Sequence, residues 1–427
     1  MKILFTPYCG GSIAHIVRSF PIARALVEAG HEVLFTSSVK KEHFIKSHGF
    51  LVYNKPHPDV NLNDDKDQSI NYFITNHRLF IEWFQNEIDA AKEFKPHVIV
   101  NSPSFFGAIT ARALNIPHVS ITNAQWLVYY KGLLGLGKTT NIFSHRLLRR
   151  LLRPVFVKKF ETVYLAEIQK VYQKLKIKII PQRREHLHAD YPVIIPSIPE
   201  FEPIETITRK DIHYVGPLFW DGFEEEGFKE SDLFGDTRKP FIYITLGGSI
   251  FSKDIYIKFI NAFNDQRDWN TLFTIGPNFK RDEFMPDNEH LVIKQYGPGL
   301  KINEVTDVMV GTGGHGTVMQ ALWHSSPMVC IPFNIDQSTI SARIAELGLG
   351  INLNPLSLRK FTQREEYVKK AQNISATQIV EAVKKILNDP SYKYRTDKFR
   401  EIIRRYHFGA EKSMNIILEE AKKSSFL

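Results

Sequence analysis

A glycine-rich stretch is the feature of this 427-residue sequence that points most directly to chemistry. Residues 311–316 read Gly-Thr-Gly-Gly-His-Gly, after an apolar run that ends at Val310 and before a helical pattern that begins at Thr317. Glycine lets the backbone approach a ligand closely, and a helix start offers main-chain N–H groups and a positive dipole end. The stretch therefore predicts a phosphate site, most simply for a diphosphate. The alternative is a tight strand-to-helix turn that holds no ligand.

Two familiar nucleotide-binding loops do not fit the sequence. No Lys-Ser or Lys-Thr follows the glycines, as the Walker loop requires. The first loop, residues 6–15 (TPYCGGSIAH), lacks the G-x-G-x-x-G pattern of a dinucleotide site, and the second predicted strand ends in Thr36-Ser37-Ser38 without an acidic residue to hold a ribose. A nicotinamide cofactor is therefore not expected.

The order of apolar runs predicts an α/β protein. Both halves of the chain alternate short apolar strands with helices, which is typical of parallel sheets covered by helices. The alternation stops in a proline-rich stretch and resumes near residue 238. We predict two doubly wound domains, residues 1–215 and 238–400, and a C-terminal helix within residues 401–427 that returns to the first domain.

Residues 307–350 resemble the donor-binding signature of the family-one UDP-glycosyltransferases, which have the GT-B fold of two Rossmann-like domains facing a cleft. The matching positions are Asp307, Gly313-Gly314, Gly316-Thr317, Ala321-Leu322, Pro327, Pro332 and Asp336-Gln337. The resemblance continues in residues 213–219 (HYVGPLF), 243–249 (YITLGGS) and 409–421 (GAEKSMNIILEEA), so it covers most of the chain.

The resemblance implies a set of donor-binding residues in the second domain. It implies that the Asp336-Gln337 pair binds the hydroxyls of the donor sugar, although Asp336 could also cap a helix. It also implies that the nucleotide base stacks on Tyr296. Ser249 is expected to help hold the diphosphate. The implied donor-binding residues are Ser249, Tyr296, Thr312, Gly313, Gly314, His315, Gly316, Thr317, Gln320, Asp336 and Gln337.

Two of these positions depart from the family pattern. Thr312 stands where the family has a histidine that touches the phosphates, and Gln320 stands where it has a glutamate that binds the ribose. Both can still form hydrogen bonds, but without charge. His315, at a variable position, either compensates for the lost histidine or is a solvent-facing loop residue.

The resemblance also implies a general base. His15 matches the family histidine that deprotonates the acceptor hydroxyl, and an unperturbed imidazole titrates near neutral pH. A capping or packing histidine is the alternative. The aspartate that orients this histidine in the family is Ser102 here. Either the acceptor hydroxyl is acidic, another carboxylate substitutes, or catalysis is weaker.

Charge is concentrated in one part of the sequence. Residues 131–190 hold fourteen Lys or Arg against four Asp or Glu, an excess of ten beside a whole-chain net charge of +9. This argues against a nucleic-acid-binding protein. Within this region, residues 144–160 predict an amphipathic helix with a basic rim; the alternative is a site for a membrane surface or an anionic acceptor. Two cysteines and the absence of a long apolar run favour a cytoplasmic protein, with a peripheral membrane position as the alternative.

The sequence therefore predicts an inverting glycosyltransferase that needs no metal and no cofactor. Its co-substrates would be a UDP- or dTDP-hexose and a hydroxylated acceptor, which is a small molecule or a lipid-like compound. Two alternatives stay open. The chain could be a sugar-nucleotide epimerase of the same fold, or a weakened protein that only binds nucleotide sugars.

Overall fold

A computed structural model describes most of the chain. The described residues are 1–9, 13–58, 76–103, 107–127, 129–131, 165–178, 180–182, 184–188, 190–204, 209–220, 228–248, 250, 252–355 and 369–424. The chain divides into two compact units. Unit 1 comprises Met1–Lys131, Leu147–Trp220 and Tyr406–Leu427, and unit 2 comprises Gly132–Arg146 and Asp221–Arg405. The basic segment 144–160 lies outside the described residues.

The described part of unit 1 forms a parallel sheet of seven strands, in the order β3-β2-β1-β4-β5-β6-β7. The first strand of the chain is an interior strand of this sheet and an apolar run whose Ile3, Leu4 and Phe5 are completely buried, as expected where helices cover both faces. The strands are β1 Lys2–Pro7, β2 Glu32–Phe35, β3 Leu51–Val52, β4 Val98–Ser102, β5 His118–Ile121, β6 Val193–Ile195 and β7 Ile212–Tyr214.

The described part of unit 2 forms a parallel sheet of six strands, in the order β10-β9-β8-β11-β12-β13. Val308, Met309 and Val310 of the central strand are completely buried. The strands are β8 Phe241–Thr245, β9 Asn270–Thr274, β10 Leu291–Lys294, β11 Val308–Gly311, β12 Met328–Cys330 and β13 Gly350–Asn352. In both sheets the strand order reverses at the middle, so both are doubly wound and the predicted α/β class is confirmed.

Helices cover the faces of both sheets. The α-helices of the described residues are α1 Ala14–Val17, α2 Phe20–Glu28, α3 Val39–Ser47, α4 His77–Phe94, α5 Ile109–Leu114, α6 Ala166–Lys174, α7 Lys253–Asn264, α8 Gly299–Glu304, α9 His315–Trp323, α10 Ile335–Glu346, α11 Ala376–Asn388, α12 Pro390–Ile403 and α13 Gly409–Ala421. The C-terminal helix α13 packs against α2 in unit 1. None of the described helices combines the length and the apolar character that a membrane span would need.

Parallel pairing brings distant residues to the same sheet edge. In unit 1, Pro7 lies beside Ser102, so β1 and β4 end together. In unit 2, Gly311 is flanked by Thr245 on β8 and by Cys330 on β12. Ligands of open α/β sheets bind beyond these carboxyl ends, where the loops are free to carry functional groups.

Candidate functional site

The glycine-rich stretch connects β11 to α9. Gly313 has φ = +78°, in the left-handed region that favours glycine. Gly314 is the N-cap, and α9 begins at His315, two residues before the predicted start at Thr317. The Val318 N–H donates to the Gly314 carbonyl at 3.0 Å, and the N-cap glycine has no side chain of its own to cap this helix end. The first turn of α9 therefore presents main-chain N–H groups beyond the edge of the sheet.

Gly313 occupies a position with no room for a side chain. A β-carbon there would stand 2.2 Å from Ser341 Oγ and 3.2 Å from the Gln337 carbonyl oxygen. Ser341 is completely buried in α10, so a larger residue would force repacking around that helix. The glycine thus lets the start of α9 approach α10, whose first turn holds the Asp-Gln pair.

The Asp336-Gln337 pair lies in the first turn of α10. The predicted alternative of an N-cap by Asp336 is wrong, because Asn334 occupies the N-cap and its side-chain oxygen accepts from the Gln337 N–H at 2.9 Å. The Gln337 side-chain oxygen accepts from the Phe333 N–H at 2.9 Å, so this side chain also fixes the loop before the helix. Asp336 is half-buried at the start of the helix.

The side chains around the glycines differ in exposure. Thr312 and His315 are buried, whereas Thr317 is half-buried and Gly316 is exposed. The alternative of a solvent-facing His315 is wrong, because the residue belongs to the first turn of α9 and its ring packs inside the unit. Main-chain groups, rather than long side chains, dominate the accessible part of this loop.

The two residues predicted on the nucleoside side lie at one turn. Tyr296 is 40% exposed, and the turn that follows it runs through Gly297 to Gly299. A β-carbon on Gly299 would stand 2.6 Å from the Gln320 side-chain oxygen, so Gln320 packs directly against this turn. Burial raises the pKa of Tyr296, which keeps its ring neutral at physiological pH. The structure therefore brings Tyr296 and Gln320 to the same turn.

One other residue of the motif, Asp307, lies away from the glycines. The Asp307 carboxylate accepts from the Phe241 N–H at 2.8 Å, so it joins the starts of β8 and β11, at the opposite strand end from the glycines. Its role in the structure is to hold two strands together. Ser249 lies outside the described residues.

His15 belongs to the short helix α1, and its side chain is half-buried. Its ring lies edge-on to the Tyr8 ring, with centroids 6.1 Å apart. Burial, and secondarily the Arg18 guanidinium, lower the pKa of His15 to about 3, because both disfavour the imidazolium. The imidazole is therefore neutral at physiological pH and able to accept a proton, but its protonated form is poorly stabilised.

Ser102 ends β4 and is 1% exposed. Its carbonyl accepts from the Tyr8 N–H at 2.7 Å, while its hydroxyl has no hydrogen-bond partner among the described residues. Both predicted catalytic residues of unit 1 are thus in contact with Tyr8.

Sequence reasoning missed a buried polar cluster close to these residues. The Glu87 carboxylate accepts from Trp83 Nε1 at 3.1 Å and from the Thr110 hydroxyl at 2.5 Å. The His57 ring stacks on Trp83 with centroids 4.1 Å apart, and its Nε2 lies 4.0 Å from Glu87. Burial raises the pKa of Glu87 to about 7. The only sequence signal was the i, i+4 spacing of Trp83 and Glu87 in an amphipathic helix, which is equally typical of core packing.

Comparison with known proteins places these features in context. No family model matches the chain. An uncharacterized glycosyltransferase of Methanosarcina mazei is 23% identical over 411 residues, covering 94% of each chain. A PGL/p-HBAD biosynthesis glycosyltransferase of Mycobacterium tuberculosis is 26% identical over 365 residues, covering 82% of this chain and 80% of that protein.

Solved structures agree in fold. The kitacinnamycin glycosyltransferase superposes with a TM-score of 0.72 at 17% identity, covering 98% of both chains. A spinosyn rhamnosyltransferase solved with thymidine diphosphate gives a TM-score of 0.66 at 14% identity, covering 97% of this chain and 100% of that chain. Together with the sequence relatives, these structures confirm the resemblance to family-one glycosyltransferases: the chain is a glycosyltransferase of GT-B fold.

Proposed function

We propose that the enzyme transfers a hexose from UDP or dTDP to a hydroxyl of a small-molecule or lipid-like acceptor, with inversion at the anomeric carbon. The observation that carries this proposal is the contact of Gly313 with α10. It sets the start of α9 beside the first turn of α10, which carries Asp336-Gln337, so that groups suited to a diphosphate and to a sugar lie on neighbouring helix ends.

The donor would be held mainly by unit 2. The N–H groups in the first turn of α9 suit the diphosphate, and the half-buried Asp336 carboxylate suits sugar hydroxyls. The exposed Tyr296 ring suits stacking on the base, with Gln320 at the same turn for the ribose. A relative of this fold solved with thymidine diphosphate supports a nucleoside diphosphate as the ligand class.

The chemical step would be a single displacement. The acceptor oxygen attacks the anomeric carbon as its proton passes to His15, and the bond from that carbon to the diphosphate oxygen breaks. Helix-end N–H groups stabilise the charge that develops on the departing nucleoside diphosphate, so the proposed step needs no metal ion. Because attack and departure occur on opposite sides, the configuration inverts.

His15 would act as a weak base. It is neutral at physiological pH, but the proton it gains is disfavoured by burial and by Arg18. A small proton-transfer driving force makes the rate depend strongly on the acidity of the acceptor hydroxyl. We therefore expect phenolic hydroxyls to react faster than aliphatic ones.

The test is a donor and acceptor screen by mass spectrometry. The purified chain is incubated with UDP- and dTDP-hexoses and a panel of phenolic and aliphatic alcohols, with and without anionic vesicles. Glycosylated product with inverted configuration supports the proposal. Conversion of the donor to an isomer without acceptor would instead indicate an epimerase. Donor binding by calorimetry without turnover on the whole panel would indicate a binding protein.

A further inference from the structure

Tyr8 contacts both predicted catalytic residues of unit 1. It follows β1 directly, and its N–H donates to the Ser102 carbonyl at 2.7 Å, which fixes its backbone to the end of β4. Its ring meets the His15 ring at 6.1 Å between centroids and 61° between planes, an edge-to-face geometry. Tyr8 and His15 are both half-buried.

The Tyr8 ring has a second aromatic contact. It packs against Trp83 with centroids 5.8 Å apart. Trp83 is 3% exposed and is held in turn by its hydrogen bond to Glu87 and by the stacked His57 ring. Glu87 is anchored by Thr110 on α5, so residues from several elements determine where the Tyr8 ring lies.

The contact between the Tyr8 and His15 rings restricts the orientation of the His15 imidazole. His15 sits in a helix of four residues, a length that gives little rigidity by itself. An imidazole that must take a proton from the acceptor has to point one nitrogen at that hydroxyl, and small misplacements slow a reaction strongly. A fixed ring against one edge of the imidazole limits its rotation about the side-chain bonds.

We propose that Tyr8 is the positioning residue of His15, and that Trp83 and Glu87 hold Tyr8 in place. The inference rests on the proposed role of His15 as the base. It assigns the work to the aromatic ring of Tyr8 rather than to its hydroxyl. Burial raises the pKa of the Tyr8 phenol well above its usual value, so this residue stays neutral and does not itself compete as a base.

The ring and the hydroxyl can be separated by two variants. Tyr8→Phe keeps the ring, and we expect kcat to stay within about threefold of the wild-type value. Tyr8→Leu removes the ring, and we expect kcat to fall by about tenfold or more, in keeping with the cost of a misplaced catalytic group. The dissociation constant for the donor should not change in either variant, because the predicted donor residues lie in unit 2.

The pH profile of kcat/KM gives a second test of the role of Tyr8. Loss of the Tyr8 ring opens the imidazole to water, so the pKa of His15 should rise from about 3 toward its usual value. The acid limb of the profile should therefore move to higher pH in Tyr8→Leu and stay in place in Tyr8→Phe. Glu87→Gln should show a smaller shift in the same direction.

Tyr53→Leu is the matched control for general destabilisation of unit 1. Tyr53 is a buried residue of unit 1 with 9% of its surface exposed, and its hydroxyl donates to the Glu93 carboxylate at 3.0 Å. This variant should lower the melting temperature without moving the acid limb. If Tyr8→Leu leaves kcat and the acid limb unchanged, or if Tyr53→Leu moves them equally, the proposal is wrong.

The NMR titration of the His15 imidazole keeps the proposal testable without turnover. Between pH 8 and 5 the imidazole should begin to titrate in Tyr8→Leu and should stay neutral in Tyr8→Phe and in the wild type; identical titration behaviour of the three proteins would overturn the positioning role. Full activity of His15→Ala would instead refute the proposed role of His15 as the general base. The titration would still show whether Tyr8 controls the environment of the His15 imidazole. The two failures are therefore distinguishable.

Discussion

The two candidate sites differ in the groups that form them: one consists mainly of backbone groups from a short segment, and the other consists of side chains from distant segments. In unit 2 the predicted phosphate site is mainly backbone, and Gly313, Ser341 and Asp336 fall within about one βαβ unit of sequence. In unit 1 the candidate base site is made of side chains from the loop after β1, from α1 and from α4, where Tyr8, His15, Trp83 and Glu87 meet only through the fold.

This difference bears on how each site tolerates change. A backbone site depends on glycines that permit close approach, so it fails by steric blockage. A side-chain site depends on packing and protonation, so it fails by lost positioning or by a shifted pKa. Variants in unit 2 should therefore act on donor affinity, and variants in unit 1 should act on turnover.

Replacement of His15 gives the largest expected effect. His15→Ala should lower kcat by roughly 10²–10⁴-fold, the usual contribution of a positioned general base. Donor affinity measured by calorimetry should stay within about twofold, since no predicted donor residue lies in unit 1. Near-normal turnover in steady-state kinetics would show that His15 is not part of the mechanism. It would also contradict the expectation that variants in unit 1 act on turnover.

A side chain at Gly313 gives the next largest effect. In Gly313→Ala the new β-carbon would meet Ser341 Oγ at 2.2 Å on a backbone with φ = +78°, so we expect at least about tenfold weaker donor binding. Gly235→Ala is the control, because a β-carbon there meets nothing within 4 Å. Titration of both variants with UDP and dTDP checks the prediction. Equal affinities would show that the glycine contact does not shape the ligand site.

Sequence and structure agree best where the ligand site depends on local backbone geometry. Gly313 could be predicted because a left-handed turn before a helix selects glycine. The start of α9 at His315 could not, because it depends on the extended backbone at Gly314. Asn334 and Asp336 are both acceptable caps by residue type, and only the conformation before α10 selects Asn334.

The unit 1 site was predictable only in part. The resemblance identified His15 and Ser102, but not Tyr8, whose relation to both depends on the register of β1 with β4. Glu87 looked like one charged residue of an amphipathic helix, and only the packing of α4 on α5 shows that it is buried. Roles of Ser249 and of residues 144–160 stay predictions.

Acid should destabilise unit 1 more than unit 2. The buried His57 and His118 and the half-buried His15 all have pKa values lowered to about 3, so between pH 6.5 and 3 the unfolded chain binds protons that the folded unit does not. Each contributes up to about 1.4 kcal/mol of lost stability per pH unit in that window. The raised pKa of Glu87, about 7, opposes this trend between pH 7 and 4.5, because its folded form binds the extra proton.

Hydrogen exchange measured by mass spectrometry at pH values from 7.5 to 5 separates the two units. We expect protection, corrected for intrinsic exchange, to fall first in peptides of β1, β4 and α4. In unit 2 the half-buried His324, with a pKa lowered to about 4, gives a smaller effect. Simultaneous loss of protection in both units would contradict the contrast.

Loss of the exposed Tyr296 ring should have the smallest effect. Tyr296→Ala removes a stacking surface worth about 1 kcal/mol, so donor affinity should fall about fivefold. Tyr296→Phe keeps the ring and should stay within about twofold of the wild-type affinity. Competition binding with UDP and with inorganic diphosphate checks whether the loss is specific to the nucleoside. An equal loss for diphosphate would place Tyr296 on the phosphate side instead.

The most direct test of the donor site is the electron density of a nucleoside diphosphate bound to the crystallised protein. The account predicts phosphate oxygens within hydrogen-bonding distance of the main-chain N–H groups in the first turn of α9, with the base against Tyr296. Clear density for the ligand elsewhere, with the space beside Gly313 closed by neighbouring side chains, would contradict it.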